Sequence, residues 1–439
     1  MESKTSDVFD GGRWKGTKGE SKWSALREPR YRIVAACFLA TFCAYVERVG
    51  FSIAFTAMAK EGGLDEGVKG TVLSAFYWGY GVSQVPGGAF AQRFGGRPLL
   101  LISFALWSTA ALLTPSDPKQ TGAVALARVC VGVAQGFIIP SVHTVLSQWI
   151  PPTERAKATS LTTSGMYLGS AAAMYALPSV VSNFGPGALL RVVGGMGLVW
   201  CALWYFVGKE APVSENEVPI NRPQRSTKSG TPWLALMTSI PVWSIIINNF
   251  TFHYSVYVVM NWLPTYFNSL LNADLAQLGS VKTMPYIIMF LSSNAGGWLG
   301  DWFILRLRRS VAQGRKLVNT LGFWGAAVSL MLMPLATNVT TGVLCTSLAM
   351  GFLGLSRGGF SVNHMDIAPK FAGVVMGISN TAGTLSGVIG VAVTGFILEH
   401  HGGSTSVAGW QSSFATCAVL GASGSLLFIF FAKGEKLFD

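Results

Sequence analysis

The sequence predicts an all-α membrane protein, with twelve transmembrane helices in two pseudo-symmetric six-helix halves. Three observations predict it. Half of the 439 residues are apolar and only 12% are charged, against about 25% charged in ordinary soluble domains. The apolar residues form long uninterrupted runs rather than amphipathic stripes, which is the mark of helices that face lipid. A short pattern also recurs. Ser83-Gln-Val-Pro-Gly-Gly-Ala-Phe-Ala-Gln92 in the first half is echoed by Ser292-Ser-Asn-Ala-Gly-Gly-Trp-Leu-Gly-Asp301 in the second, each before a basic loop.

Taken in order, residues 1–30 are polar, Gly-rich and mixed in charge, and read as a disordered cytosolic N-terminus. Their acids, Glu2, Asp7, Asp10, Glu20 and Glu28, do not fit a transit peptide. The first six-helix half covers 31–208, with spans near 33–57, 70–91, 98–114, 122–146, 158–182 and 189–207. A Pro-, Ser- and charge-rich linker occupies 209–232. The second half covers 233–433, with spans near 242–267, 278–299, 318–336, 341–362, 372–398 and 411–432, and a short tail follows at 434–439. Each span is close to the roughly 20 residues that a bilayer core demands.

Loop charge orients this layout. Arg93, Arg97, Arg155, Lys157, the linker basics, Arg306, Arg308, Arg309, Arg315, Lys316, Lys370, Lys433 and Lys436 collect on one side. Lys60, Lys69, Lys119, Arg191 and Lys282 fall on the other. Such asymmetry places both termini in the cytosol. It also accounts for the net charge of +12 without nucleic acid. The six cysteines, Cys37, Cys43, Cys130, Cys201, Cys345 and Cys417, lie in apolar runs without metal-ligand spacing. No nucleotide-binding Gly loop, metal cluster or nucleophile–base pair is evident. The chain reads as neither an enzyme nor a primary pump, with no cofactor and no metal.

The chemistry lies in charges inside the spans. Glu47 and Arg48 sit well within the first apolar run. An ionised group at that depth costs on the order of 2.5–3.5 kcal/mol. Neighbours on a helix point about 100° apart, so both cannot face lipid. A water-accessible cavity is the simplest account. Arg48 can offer an oxyanion two parallel charged hydrogen bonds; the alternative is a permanent ion pair. Arg128 in span four shares a face with Gly132 and with Gln135, a further candidate substrate ligand. It is a second anion ligand or a structural arginine bonded to carbonyls. Glu47 is the leading coupling residue, an acid whose proton affinity follows access to water; the alternative is a static counter-ion to Arg48 or Arg128. Arg357 and His364 share a face of span ten, and Arg357 is either a third ligand or a gate pairing with Asp366 or Asp301. His143 reads as structural.

Gly88 to Arg97 resembles the major facilitator loop between spans two and three, with Gln92 where that pattern has Asp. Arg128–Gly136, Trp149–Arg155 and Val362–Lys370 resemble the anion:cation symporter family, which includes vesicular glutamate transporters, sialin and hexonate transporters. Tyr45–Ala54, Asn248–Tyr254, Met260–Tyr266 and the tail from Gly434 are similar to its plant and algal intracellular phosphate transporter branch. The resemblance covers nearly the whole chain from Tyr31. It implies the major facilitator fold and a family pocket with tyrosines at Tyr80 and Tyr167. Asn249, His253 and Asn380 join Arg357, His364 and Asp366 as gate or second-half pocket residues. Glutamate relatives carry an arginine where this chain has Phe252, an acid where it has Gln135 and a histidine where it has Leu73.

The expectation is therefore a monomeric secondary transporter of a small inorganic anion, phosphate, driven by a proton or sodium gradient. An intracellular membrane, the Golgi before the plastid envelope, is the expected location. An organic anion such as a hexonate is the alternative substrate. A non-transporting receptor or scaffold on the same fold is the rival of another class. The intramembrane charges count against it. A tag at Asp439 should be reached by antibody from the cytosolic side of sealed vesicles alone. Luminal access would reverse the topology.

Overall fold

The computed structural model describes residues 29–64, 66–117, 119–208, 231–272 and 278–438. The expected linker lies almost wholly outside them, as do residues 1–28. Regular structure among the described residues is entirely helical. The first half contains α1 Pro29–Glu61, α2 Glu66–Phe94, α3 Gly96–Leu112, α4 Thr121–Gly136, α5 Ile138–Trp149, α6 Arg155–Phe184 and α7 Pro186–Val207. The second contains the short α8 Trp233–Thr238, then α9 Ile240–Leu271, α10 Leu278–Leu305 and α11 Val311–Leu332. It closes with α12 Val339–Ser356, α13 Phe360–Ile367, α14 Ala372–His400 and α15 Val407–Phe431.

Two expected spans are broken. Span four divides into α4 and α5 at Phe137. Pro140 has no N–H to return to the Gly136 carbonyl, so the helical ladder lapses there. Span ten divides at Arg357, Gly358 and Gly359, where three successive N–H groups bond three residues back, to Gly354, Leu355 and Ser356. A Cβ at Gly358 would collide with the Gly296 carbonyl oxygen of α10. The break thus lies where two backbones touch.

Seven helical stretches of the described residues are long and apolar enough to cross a membrane by composition alone, with Gly96–Leu112 as a shorter eighth. The expectation was twelve. Part of the difference has a physical cause. Helix α6 buries Thr159, Ser160, Thr162, Thr163, Ser164 and Ser170, and those residues lower its hydropathy. Their face packs against protein, chiefly α1 and α10, rather than lipid.

Helix pairings in the first half recur in the second. Helix α1 packs on α6 and α7, α2 on α4, and α3 on α7. Correspondingly α9 packs on α14 and α15, α10 on α12, and α11 on α15. Between the halves, α2 meets α14 and α6 meets α10. The sequence repeat lies on those two seams. A Cβ at Gly88 would strike the Gly373 carbonyl, and one at Gly297 would sit 2.6 Å from the Ser160 Cβ. Buried tryptophans pin the first half from within: Trp200 donates to the Ala36 carbonyl and Trp204 to that of Arg97, each at 3.0 Å. The described end of the chain folds back on α13, where the Leu437 N–H donates to the Ile367 carbonyl at 2.8 Å.

Helix α4 sits close to α2 because Gly132 places its Cα against the Phe76 carbonyl, the role that small-xxx-small spacing with Gly136 implies. Gly132→Leu should lower stability by at least the roughly 1–3 kcal/mol of ordinary overpacking. Gly122→Leu on the same helix meets open space and should leave the thermal midpoint in detergent unchanged.

Candidate functional site

The charges inside the spans form one chain of contacts. Glu47 is 1% exposed and Arg128 is 2% exposed. Arg128 Nη1 donates to Glu47 Oε1 in a short ion pair. Gln135 Nε2 donates to Glu47 Oε2 at 2.8 Å, and Arg48 Nη2 reaches Gln135 Oε1 at 3.5 Å. Both oxygens of Glu47 are therefore taken, and its cation is Arg128, not its neighbour Arg48. The seven-residue spacing from Arg128 to Gln135 puts both on the face of α4 that looks at α1.

Arg48 is left without a carboxylate among the described residues. Aromatic rings surround it instead, with Tyr45, Phe76 and Tyr80 centred 4.4, 4.5 and 4.7 Å from its guanidinium carbon. Its Nε is buried without a partner. Arg128 lies 3.9 Å from the centre of the Phe51 ring. Ring faces carry negative potential, so they hold a cation without using its N–H groups.

Arg357 is the counterpart in the second half. It stands at the break between α12 and α13, is 3% exposed, and has no carboxylate partner among the described residues. Its Nη1 donates to the Tyr167 hydroxyl of α6 at 2.9 Å. Its guanidinium carbon lies 5.1 Å from the Phe252 ring centre. A cation thus does reach the neighbourhood of Phe252, which the sequence alone left uncharged; it comes from span ten, not span seven. The acids expected to pair with Arg357 are held elsewhere. Arg315 Nε donates to Asp366 at 2.9 Å and its Nη1 to Asp301 at 3.4 Å.

Further contacts tie the halves together. Asn380 on α14 donates to the Tyr80 hydroxyl at 3.0 Å and, more closely, to Gln84 Oε1. Arg155 at the start of α6 donates to the Met365 carbonyl at 2.8 Å and lies 3.8 Å from Asp366. Asp301 Oδ2 accepts the Lys157 N–H at 3.0 Å. His364 meets His143 across the same seam. Asn249 and His253 are used within the second half. Asn249 donates to the Ser379 carbonyl at 2.8 Å, and His253 Nδ1 rests 2.9 Å from the Asn249 carbonyl.

This arrangement has known relatives. The family model described as Major Facilitator Superfamily matches residues 37–391. The chain belongs to the major facilitator superfamily. It is 47% identical to "Probable anion transporter 6" of Oryza sativa subsp. japonica, over 93% of this chain and 99% of that one. It is 33% identical to "Sodium-dependent phosphate transport protein 1, chloroplastic" of Arabidopsis thaliana, over 93% and 80%. Identity is again 33% to "Ascorbate transporter, chloroplastic" of the same plant, over 95% and 78%. Among solved structures, the proton:xylose symporter XylE bound to 6-bromo-6-deoxy-D-glucose shares the fold at TM-score 0.72 and 15% identity, over 93% and 97%. Membership makes the chain a multi-pass integral membrane protein of a transporter family, not an enzyme.

The sequence reading missed Arg315, which it placed in a loop. It is fully buried in α11. A signal was available: Ser310 and Gln313 form a capping box that starts the helix at Val311. Gln84 and His143 were also passed over as contacts between halves, since nothing local marks a partner on a distant helix.

The Glu47–Arg128 pair makes a stability prediction. Arg128→Gln strands a buried carboxylate and should cost about 3–5 kcal/mol. Adding Glu47→Gln should recover most of that loss. Unfolding of the four proteins in one detergent checks it, and strictly additive losses would refute the coupling.

Proposed function

We propose that the chain is a twelve-span secondary carrier of a small inorganic anion, phosphate, working by alternating access between halves 31–208 and 233–433. The observation that carries the reading is the pair Arg48 and Arg357. They are two intramembrane guanidiniums, one from each half, with no carboxylate partner among the described residues. Leaving cations unpaired at that depth is costly, and an anion entering between the halves removes the cost. Tyr80 and Tyr167 stand beside these two arginines as hydroxyl ligands. The names of the phosphate and anion transporter relatives agree with this reading.

Glu47 carries the coupled cation, most simply a proton. Ionised, it occupies Arg128 and Gln135. Protonated, it loses the charge that holds Arg128 and frees that arginine as a further anion ligand. Proton and anion then favour the same loaded state, as symport requires. Sodium at the same carboxylate is the alternative driver. The protein works as a monomer in an intracellular membrane, the Golgi ahead of the plastid envelope. A second substrate reading, an organic monocarboxylate, draws on the ascorbate transporter relative and on the rings of Tyr45 and Phe76 around Arg48. These can stack on an organic body.

Liposome uptake of phosphate and a panel of carboxylates is the test, with proton and sodium gradients varied separately. Arg48→Lys keeps charge but loses the planar fork and should cut uptake by about tenfold or more. Glu47→Gln should keep phosphate counterflow and lose accumulation against a gradient. Near wild-type uptake by Arg48→Lys would remove the arginine from the site. Gradient-driven accumulation by Glu47→Gln would reduce Glu47 to a counter-ion.

A further inference from the structure

His143 and His364 are used by none of the chemistry above. His143 lies on α5 in the first half and His364 on α13 in the second. Both are 0% exposed. His364 Nε2 and His143 Nδ1 are 2.6 Å apart, and the ring centres 4.5 Å. The outward atoms, His143 Nε2 and His364 Nδ1, are buried without partners. The charged groups facing the pair are Arg357 at the end of α12 and, on the His364 side, Arg155 from α6. Asp366, on α13 itself, is held by Arg315 of α11 with Arg155 beside it.

Proton accounting fixes what this contact can do. Two neutral imidazoles bond by one ring donating N–H and the other accepting on a bare nitrogen. If both rings are protonated, the facing nitrogens both carry hydrogen and the contact cannot form. The closed contact therefore excludes the doubly protonated pair. Once α5 and α13 part and water enters, each ring can take one.

We propose that His143 and His364 form a proton-binding latch between the halves: bonded to each other they hold α5 against α13, and protons arriving from that end of the molecule favour the parted state. The site's ligand is the proton itself, and it is distinct from the Glu47 site, which lies on α1. The proposal rests on the alternating-access reading above. By linkage, each extra proton bound in the parted state shifts the open-to-closed ratio by at most about tenfold per pH unit.

Spin labels on the exposed Arg93→Cys and Arg306→Cys, in a chain with its six native cysteines replaced, report the separation of the halves at this end. The protein is held in nanodiscs without substrate and titrated from pH 7.5 to 5.5. The longer-distance population should grow by more than threefold in the wild-type histidine background. In the double variant His143→Gln/His364→Gln, whose amides can still bond each other but cannot titrate, the change should fall below twofold. An equal pH response in the double variant overturns the latch. So does a distribution that opens on adding phosphate but ignores pH. A distribution fixed under both conditions overturns the carrier reading along with it. If the labelled chain does not fold, hydrogen exchange in α5 and α13 of the native chain, corrected for intrinsic rates, gives the same titration with the same outcomes.

Discussion

The ion pair between Glu47 and Arg128 is the constraint from which the rest of the first half follows. Neither charge could stay at that depth alone. Holding them together requires α1 and α4 to present side chains to one point, and it requires a third group for the second carboxylate oxygen, which Gln135 supplies. Helix α4 must then lie deep in the bundle. Its glycines allow this by letting the α2 backbone approach. Once Arg128 has taken Glu47, no acid among the described residues pairs with Arg48. The aromatic rings around Arg48 are the remaining means of holding a cation in place, and they leave its hydrogen-bonding edge available.

The seam between the halves obeys a different rule at each level. Around Tyr80, Tyr167, Asn380 and Arg357 the contacts are hydroxyl, amide and guanidinium bonds. Nearer the basic loops they are charged: Arg155 of the first half lies 3.8 Å from Asp366 and the Lys157 N–H donates to Asp301, while Arg315 holds both acids from within the second half. Charged contacts that meet water when the seam parts lose little, because hydration replaces what the partner gave. This makes them suited to a contact that forms and breaks repeatedly. The same exchange would be costly for Glu47 and Arg128, which bond within one half and can remain joined whichever way the halves tilt.

The fold was legible because lipid imposes long apolar runs, and because the repeat at Gly88 and Gly297 marks equivalent seams. The break at Phe137 was written in Pro140, yet the reading ran span four straight through it. Intrahelical faces were legible as well: Gln135 does share its target with Arg128. Partner choice was not. The residues alone left both Arg48 and Arg128 open as the cation for Glu47; adjacent helical positions diverge, and the partner is the one 81 residues away. The second-half cation was misjudged for the same reason. Phe252 was judged by what its own position lacks, whereas Arg357 arrives there from another helix.

An asymmetry of chemistry underlies this near-symmetry of form. In the second half, three buried amides are spent on backbone and on one another. Asn248 donates to the Ser244 and Gly424 carbonyls, Asn319 donates to Asn248, and Asn249 donates to Ser379. These bonds have no titratable member and fix α9 against α11, α14 and α15 as a rigid platform. The first half instead holds an acid with two exchangeable partners. The second half adds a buried cation with no carboxylate partner among the described residues, Arg357. That cation's hydroxyl partner, Tyr167, belongs to the first half. Any tilt that separates α6 from α12 must release Arg357, so its freedom to take another ligand is tied to the motion itself.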